Sequence, residues 1–202
     1  MVDNLIKYIH KSNIAIVVLH EIYGVNNFIK DVCQKYYKGG YDVFCPELLG
    51  EKRVFSYLKA QEAYDFFINN VKFDIYKKVE KLINGLKSEY KHVFVVGYSI
   101  GATIAWRCSE NSLCDGIICC YGSRIRDYMD VIPTCPILLV FAKYDSFDVD
   151  YVSSQLSRRQ NIQIEILDAN HGFIDTCSKN YSNAQTEVFN IKEKNFLSKC
   201  LG

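Results

Sequence analysis

Gly97-Tyr98-Ser99-Ile100-Gly101 is the stretch of this 202-residue chain whose residue types and spacing could do chemistry. It follows the apolar run Val93-Phe-Val-Val96 and precedes a helix expected from about Ala102 to Ser109. A serine held on a sharp turn between a strand and a helix has its hydroxyl lifted out of the sheet, and glycines on either side avoid a clash where the backbone closes on itself. The helix that follows aims free N–H groups at the serine, which favours negative charge there. The chemistry would be attack by Ser99 on a carbonyl carbon. Glycine and serine are common residues, and the pattern alone does not separate this turn from an ordinary one.

A serine hydroxyl needs a base within hydrogen-bond reach, and the base needs an acid to orient it. Of the four histidines only His171 follows Ser99; His10, His20 and His92 precede it. His171 sits in Asp168-Ala-Asn-His-Gly-Phe173, past the last expected strand, although a solvated loop histidine would read the same. For the acid, Asp145 is nearest the end of the expected strand Ile137–Phe141. Asp148 and Asp150 are rivals, and Asp150 could instead cap the next helix. Asp168 is too close to His171 in sequence to be favoured. Ser, then Asp, then His, each after a strand, is the order found in α/β-hydrolases. In that fold the backbone N–H after the nucleophile, here Ile100, and one from the loop after an early strand, here Ile22, would bind the oxyanion.

The elements that must position these groups can be read from hydrophobic patterning. Leu5–Ile9 alternates like an edge strand, and Ile14–Leu19 is continuously apolar, as in a strand covered on both faces. Asn26 or Asn27 can cap a helix carrying Phe28, Val32 and Tyr36, ended by Gly39-Gly40. Tyr41–Cys45, Val93–Val96, Gly116–Tyr121, Ile137–Phe141 and Ile162–Ile166 are further strands, the last nearer an edge. Helices are expected over 61–70, 74–88, 149–159 and 183–201. Such alternation implies an α/β fold: a mostly parallel sheet of about seven strands with helices on both faces. Residues 1–202 read as one domain, with 47–70 a lid or pocket segment. In such sheets the loops at the carboxyl ends of the strands hold the ligand.

The composition excludes several classes. Hydrophobic residues make up 49% and charged residues 23% of the chain, with a net charge of +1, so there is no electrostatic case for nucleic acid or an anionic membrane. No apolar run approaches the roughly 20 residues of a membrane span, and no signal peptide is evident at the first residues. Nine cysteines without a C-x-x-C pair are expected to be reduced thiols of a cytoplasmic protein.

Several stretches taken together carry a resemblance. They are His20-Glu-Ile-Tyr-Gly-Val25, Gly40-Tyr-Asp-Val-Phe-Cys-Pro-Glu47, Gly97-Tyr-Ser-Ile-Gly101, Tyr121-Gly122, Tyr144-Asp145 and His171-Gly-Phe173. From about Ile14 to the C-terminus the chain resembles the dienelactone hydrolase family of α/β-hydrolases. The resemblance implies a Ser/Cys-His-Asp triad, an ester or lactone substrate, and a glutamate, here Glu21, close to the nucleophile. Two departures stand out. The namesake enzymes use cysteine where this chain has Ser99. They also carry, four residues after the histidine, an arginine that binds a substrate carboxylate or pairs with the glutamate. Here that position is Asp175, so an anionic dienelactone would meet a like charge. Arg124 could partly substitute, or be an ordinary solvated arginine.

The expectation is therefore a serine hydrolase of a small ester, thioester or lactone, with Ser99, Asp145 and His171 as triad and no metal or organic cofactor needed. Tyr23, Tyr98, Arg124 and Phe173 are candidate substrate contacts. Glu21, if buried, would have a raised pKa and act as a proton donor, or it would only brace the Ile22 loop. The alternatives are acyl transfer by the same triad, and a non-catalytic ligand-binding member of the fold. Oligomeric state is left open.

Overall fold

Residues 4–110 and 113–202 are described by a computed structural model. Seven strands run in the spatial order β1-β3-β2-β4-β5-β6-β7. They are β1 (Leu5–Tyr8), β2 (Ile14–Leu19), β3 (Asp42–Pro46), β4 (His92–Tyr98), β5 (Gly116–Cys120), β6 (Ile137–Tyr144) and β7 (Ile162–Asn170). Only β1 pairs antiparallel, against β3; the remaining neighbours are parallel. Parallel neighbours require crossovers, and helices supply them. These are α1 (Asn27–Lys38), α2 (Ala60–Phe66), α3 (Tyr76–Lys87), α4 (Ile100–Arg107), α5 (Val149–Leu156) and α6 (Asn183–Leu201).

Strand alternation divides the core into two layers. Val93 and Val95 of β4 face the layer holding α3 and α4, whereas Phe94, Val96 and Tyr98 face the layer holding α1 and α6. Adjacent Cys119 and Cys120 of β5 part in the same way, one into each layer. All nine cysteines are free thiols, and seven are buried. Among the described residues no helix is long and apolar enough to cross a membrane.

Three differences from the sequence expectation bear on the site. β6 and β7 continue past the expected Phe141 and Ile166 to Tyr144 and Asn170, with a register irregularity between Ala142 and Tyr144. Asp145 and His171 therefore sit at the very ends of paired strands. The helix expected over 61–70 stops as α-helix at Phe66 and continues as one π turn, Phe67–Val71. The segment 47–70, expected as a lid or pocket wall, contributes Leu48, Leu49, Phe55, Ala63 and Phe67 to the core. It is also stitched to the loop after β2, where Phe55 N–H donates to Tyr23 C=O at 3.0 Å.

Candidate active site

Ser99 occupies a strained turn. Its φ of 54° and ψ of −113° put a non-glycine residue outside the regions a side chain prefers. The two glycines explain how the turn closes. A Cβ on Gly97 would lie 2.2 Å from the Gly101 carbonyl oxygen, and one on Gly101 would lie 2.3 Å from that of Leu19. Both obstacles are backbone, so they cannot swing aside. Gly101→Ala is expected to cost about 1–3 kcal/mol, read as a lower urea midpoint. A midpoint shift equivalent to under about 0.5 kcal/mol, the range of surface substitutions, would refute the tight approach.

The Ser99 hydroxyl lies 3.0 Å from His171 Nε2, and His171 Nδ1 lies 2.8 Å from Asp145 Oδ2. An ionised carboxylate only accepts, so Nδ1 carries the imidazole proton and Nε2 presents its lone pair to the serine. Asp145 is fixed in turn by Ser146, whose N–H donates to Oδ1 at 2.6 Å. Asn180 Nδ2 donates to the His171 carbonyl at 2.8 Å and pins that loop. Of the rival acids, Asp148 caps α5 by accepting from Tyr151 N–H at 2.8 Å, and Asp150 lies in the helix's first turn.

The electrostatics follow from burial and pairing. Burial pushes the Asp145 carboxyl up, but the His171 contact and the Ser146 donors outweigh it and the net pKa is lowered. Burial pulls His171 down, while Asp145 and then Glu21 raise it, leaving it above its ordinary 6.5. Glu21 is buried, and burial together with the neighbouring Asp175 raises its carboxyl to about 7, against the pull of His171 and Tyr121. Burial is the condition under which a raised pKa is expected at this residue from the sequence. The Tyr121 hydroxyl faces Glu21 without completing a hydrogen bond.

Two lobes of the cleft meet at Ser99 and His171. One, about 340 Å³, contains Arg124, Tyr64, Ser123 and Thr103. The other, about 490 Å³, contains Glu21, Tyr23, Tyr57, Leu58 and Asp175. Ile22 lines both, and Ile100 lines the smaller. Arg124 is held by the Tyr64 hydroxyl and by Asp127, the latter at 3.1 Å.

Two expected substrate contacts are corrected. Tyr98 is 1% exposed and packs against Phe28 and Tyr121, because strand alternation turns it toward α1 and away from the cleft. Phe173 is fully buried against Tyr121 beneath the histidine loop. Conversely, Tyr57 and Tyr64, which no spacing in the sequence singles out, reach the cleft. His20 was given no role from sequence. It is fully buried, with Nδ1 donating to the Glu21 carbonyl at 2.6 Å and Nε2 accepting from Leu48 N–H at 2.9 Å. Burial lowers its pKa to about 4, against the backbone bond to Glu21, so it braces the Ile22 loop as a neutral ring. Among the described residues no group of three or more His, Cys, Asp or Glu side chains is placed to hold a metal ion.

Parallel strands order the sheet, and Ser99, Asp145 and His171 converge at the ends of β4, β6 and β7; these features define an α/β-hydrolase fold. Comparison with known proteins narrows the class. A model of the dienelactone hydrolase family matches residues 6–201, and the chain belongs to that family. It is 40% identical over 174 residues to the uncharacterized protein YczH of Bacillus subtilis, covering 84% of this chain and 85% of that one. It is 24% identical over 201 residues to carboxymethylenebutenolidase 1 of Cupriavidus pinatubonensis, covering 91% and 85%. Among solved structures, a dienelactone hydrolase-like promiscuous phosphotriesterase from metagenomic libraries superposes with a TM-score of 0.71 at 14% identity, over 91% of this chain and 85% of that one. An esterase of Pyrococcus furiosus superposes with a TM-score of 0.64 at 18% identity, over 96% and 85%. At these identities the structural likeness speaks to the fold.

Proposed function

We propose that the protein hydrolyses a small ester, thioester or lactone through an acyl-enzyme on Ser99. The observation that carries this is the unbroken relay from the Ser99 hydroxyl to His171 Nε2 at 3.0 Å and from His171 Nδ1 to Asp145 at 2.8 Å. Kinship with a protein named carboxymethylenebutenolidase, and likeness of fold to an esterase, support the substrate class. Ser99 Oγ bonds to the carbonyl carbon while its proton passes to His171 Nε2. The N–H groups of Ile22 and Ile100 receive the oxyanion. The acyl C–O or C–S bond then breaks, and His171 returns the proton to the leaving oxygen or sulfur. Water repeats the sequence, and the acid leaves with Ser99 restored. Asp145 holds the tautomer and stabilises the imidazolium. Free, mostly buried thiols favour a reducing cytoplasm as the setting.

The dienelactone substrate itself is not assigned, because Asp175 stands where that anion would need a cation. The test is labelling with a fluorophosphonate, which bonds covalently to an activated serine. Ser99 should be the modified residue in peptide mass spectra. The labelling rate should rise with pH, with its midpoint above 6.5, because only neutral His171 can accept the serine proton. Folded protein that resists labelling would instead favour the ligand-binding alternative.

A further inference from the structure

The larger lobe carries an electrostatic pattern that hydrolysis alone does not require. Glu21 and Asp175, 4% and 1% exposed, both line it. They are near enough that the Asp175 carboxylate raises the pKa of Glu21. Asp175 is held in place by two donors: the Tyr57 hydroxyl bonds to Oδ2 at 2.5 Å and the Cys177 N–H to Oδ1 at 2.8 Å. Asn26 Nδ2 in turn donates to the Tyr57 hydroxyl at 2.8 Å. These donors orient the carboxylate without cancelling its charge.

Among the described residues neither carboxyl pairs with a lysine or arginine. The cation that Glu21 senses is His171 in its protonated form, which is itself paired with Asp145. Lys179 lines the same lobe but is exposed at its rim. Burying a pair of acids without a counter-charge is costly, and the cost falls if a cation enters. The walls suit that cation. Tyr23 and Tyr57 pack against each other at a 39° tilt with ring centroids 4.4 Å apart, and both line the lobe, so aromatic π-density adjoins the carboxylates. The smaller lobe, across Ser99, presents Arg124 and would repel the same group.

We propose that the larger lobe binds a cationic group of the substrate, a quaternary or protonated amine. Glu21 and Asp175 supply the counter-charge, and Tyr23 and Tyr57 the flanking faces. The ester whose cleavage is proposed for Ser99 then carries an ammonium on one side of its carbonyl. As a statement about substrates this rests on the hydrolytic reading above; as a statement about binding it does not.

Two pairs of isosteric esters test it, one for each side of the carbonyl. Acetylthiocholine is compared with 3,3-dimethylbutyl thioacetate, and phenyl 4-(trimethylammonio)butyrate with phenyl 5,5-dimethylhexanoate. The cationic member of at least one pair should have the higher kcat/KM by about tenfold, and Asp175→Asn should reduce that ratio several-fold. Glu21→Gln is the second variant, should Asp175→Asn fold poorly. Equal or lower kcat/KM for the cationic member of both pairs overturns the proposal, as does a ratio untouched by both variants. If none of the four esters is cleaved, the lobe is judged by calorimetry on Ser99→Ala protein. Acetylthiocholine binding that weakens in the Ser99→Ala, Asp175→Asn double variant supports a cation site without hydrolysis. Absence of binding to Ser99→Ala overturns it.

Discussion

Ser99→Ala is expected to lower kcat by about 10⁶, and His171→Ala by nearly as much, with the double variant no worse than either. The geometry dictates this lack of additivity. The Ser99 hydroxyl stands 3.0 Å from Nε2, and the proposed mechanism gives Ser99 that one base and His171 that one nucleophile. Each is useless without the other. Asp145→Asn should be milder, at about 10⁴, because the ring stays in place but an amide can favour the wrong tautomer. Steady-state turnover of the best cleaved ester, on protein whose fold is checked by circular dichroism, decides the matter. Retention by Ser99→Ala of more than a hundredth of wild-type kcat would end the nucleophile assignment.

The second large effect concerns stability. Glu21 ionises at 4.5 in its unperturbed state and at about 7 when folded, raised first by burial and then by Asp175. Between those values the folded chain keeps a proton that the unfolded chain releases. Stability therefore falls as pH rises from 4.5 to 7, and above 7 the whole deficit is present. A rise of this size corresponds to about 3 kcal/mol. Glu21→Gln has no charge to bury, so the variant should gain on the wild type by about that amount between pH 5 and pH 9. Part of the wild-type slope should persist, because burial also raises Asp175. Urea unfolding at several pH values measures it. Parallel curves for variant and wild type would show that Glu21 is not held near neutrality by its surroundings.

Why would a fold keep such an uncomfortable pair? Sites that bind charged ligands commonly sacrifice stability for function, and groups whose removal stabilises the chain mark them. The expected gain from Glu21→Gln and the expected loss of ammonium preference are two readings of one arrangement.

Much of this was legible in the sequence because it rests on local rules. Continuous apolar runs such as Ile14–Leu19 and Ile137–Phe141 announce buried parallel strands. The order of Ser99, Asp145 and His171 along those strands narrows the chemistry by itself. The less legible parts are those that depend on distant partners. Tyr57 bonds to Asp175 across 118 residues, and no spacing rule links them. Tyr98 follows directly from the pattern of β4, yet its proximity to Ser99 in sequence suggested the cleft, and alternation sent it the other way. The hydrophobic pattern ends β6 and β7 short, because Lys143-Tyr144 and Asp168-Ala-Asn170 are largely polar. Main-chain pairing between β6 and β7, with Tyr144 opposite Asn170, extends both strands regardless of side-chain polarity.

That extension has an evolutionary consequence. The three groups of the relay stand on the last rungs of a hydrogen-bonded ladder or one residue beyond it, anchored by a core that selection cannot easily rearrange. Glu21 and Asp175, which give the cleft its negative charge, stand on loops, and Tyr57 and Arg124 stand on short 3-10 turns, all outside the sheet and its α-helices. Changes at those positions leave the ladder intact. A substitution there can thus alter which molecules the cleft would accept without moving Ser99, Asp145 or His171.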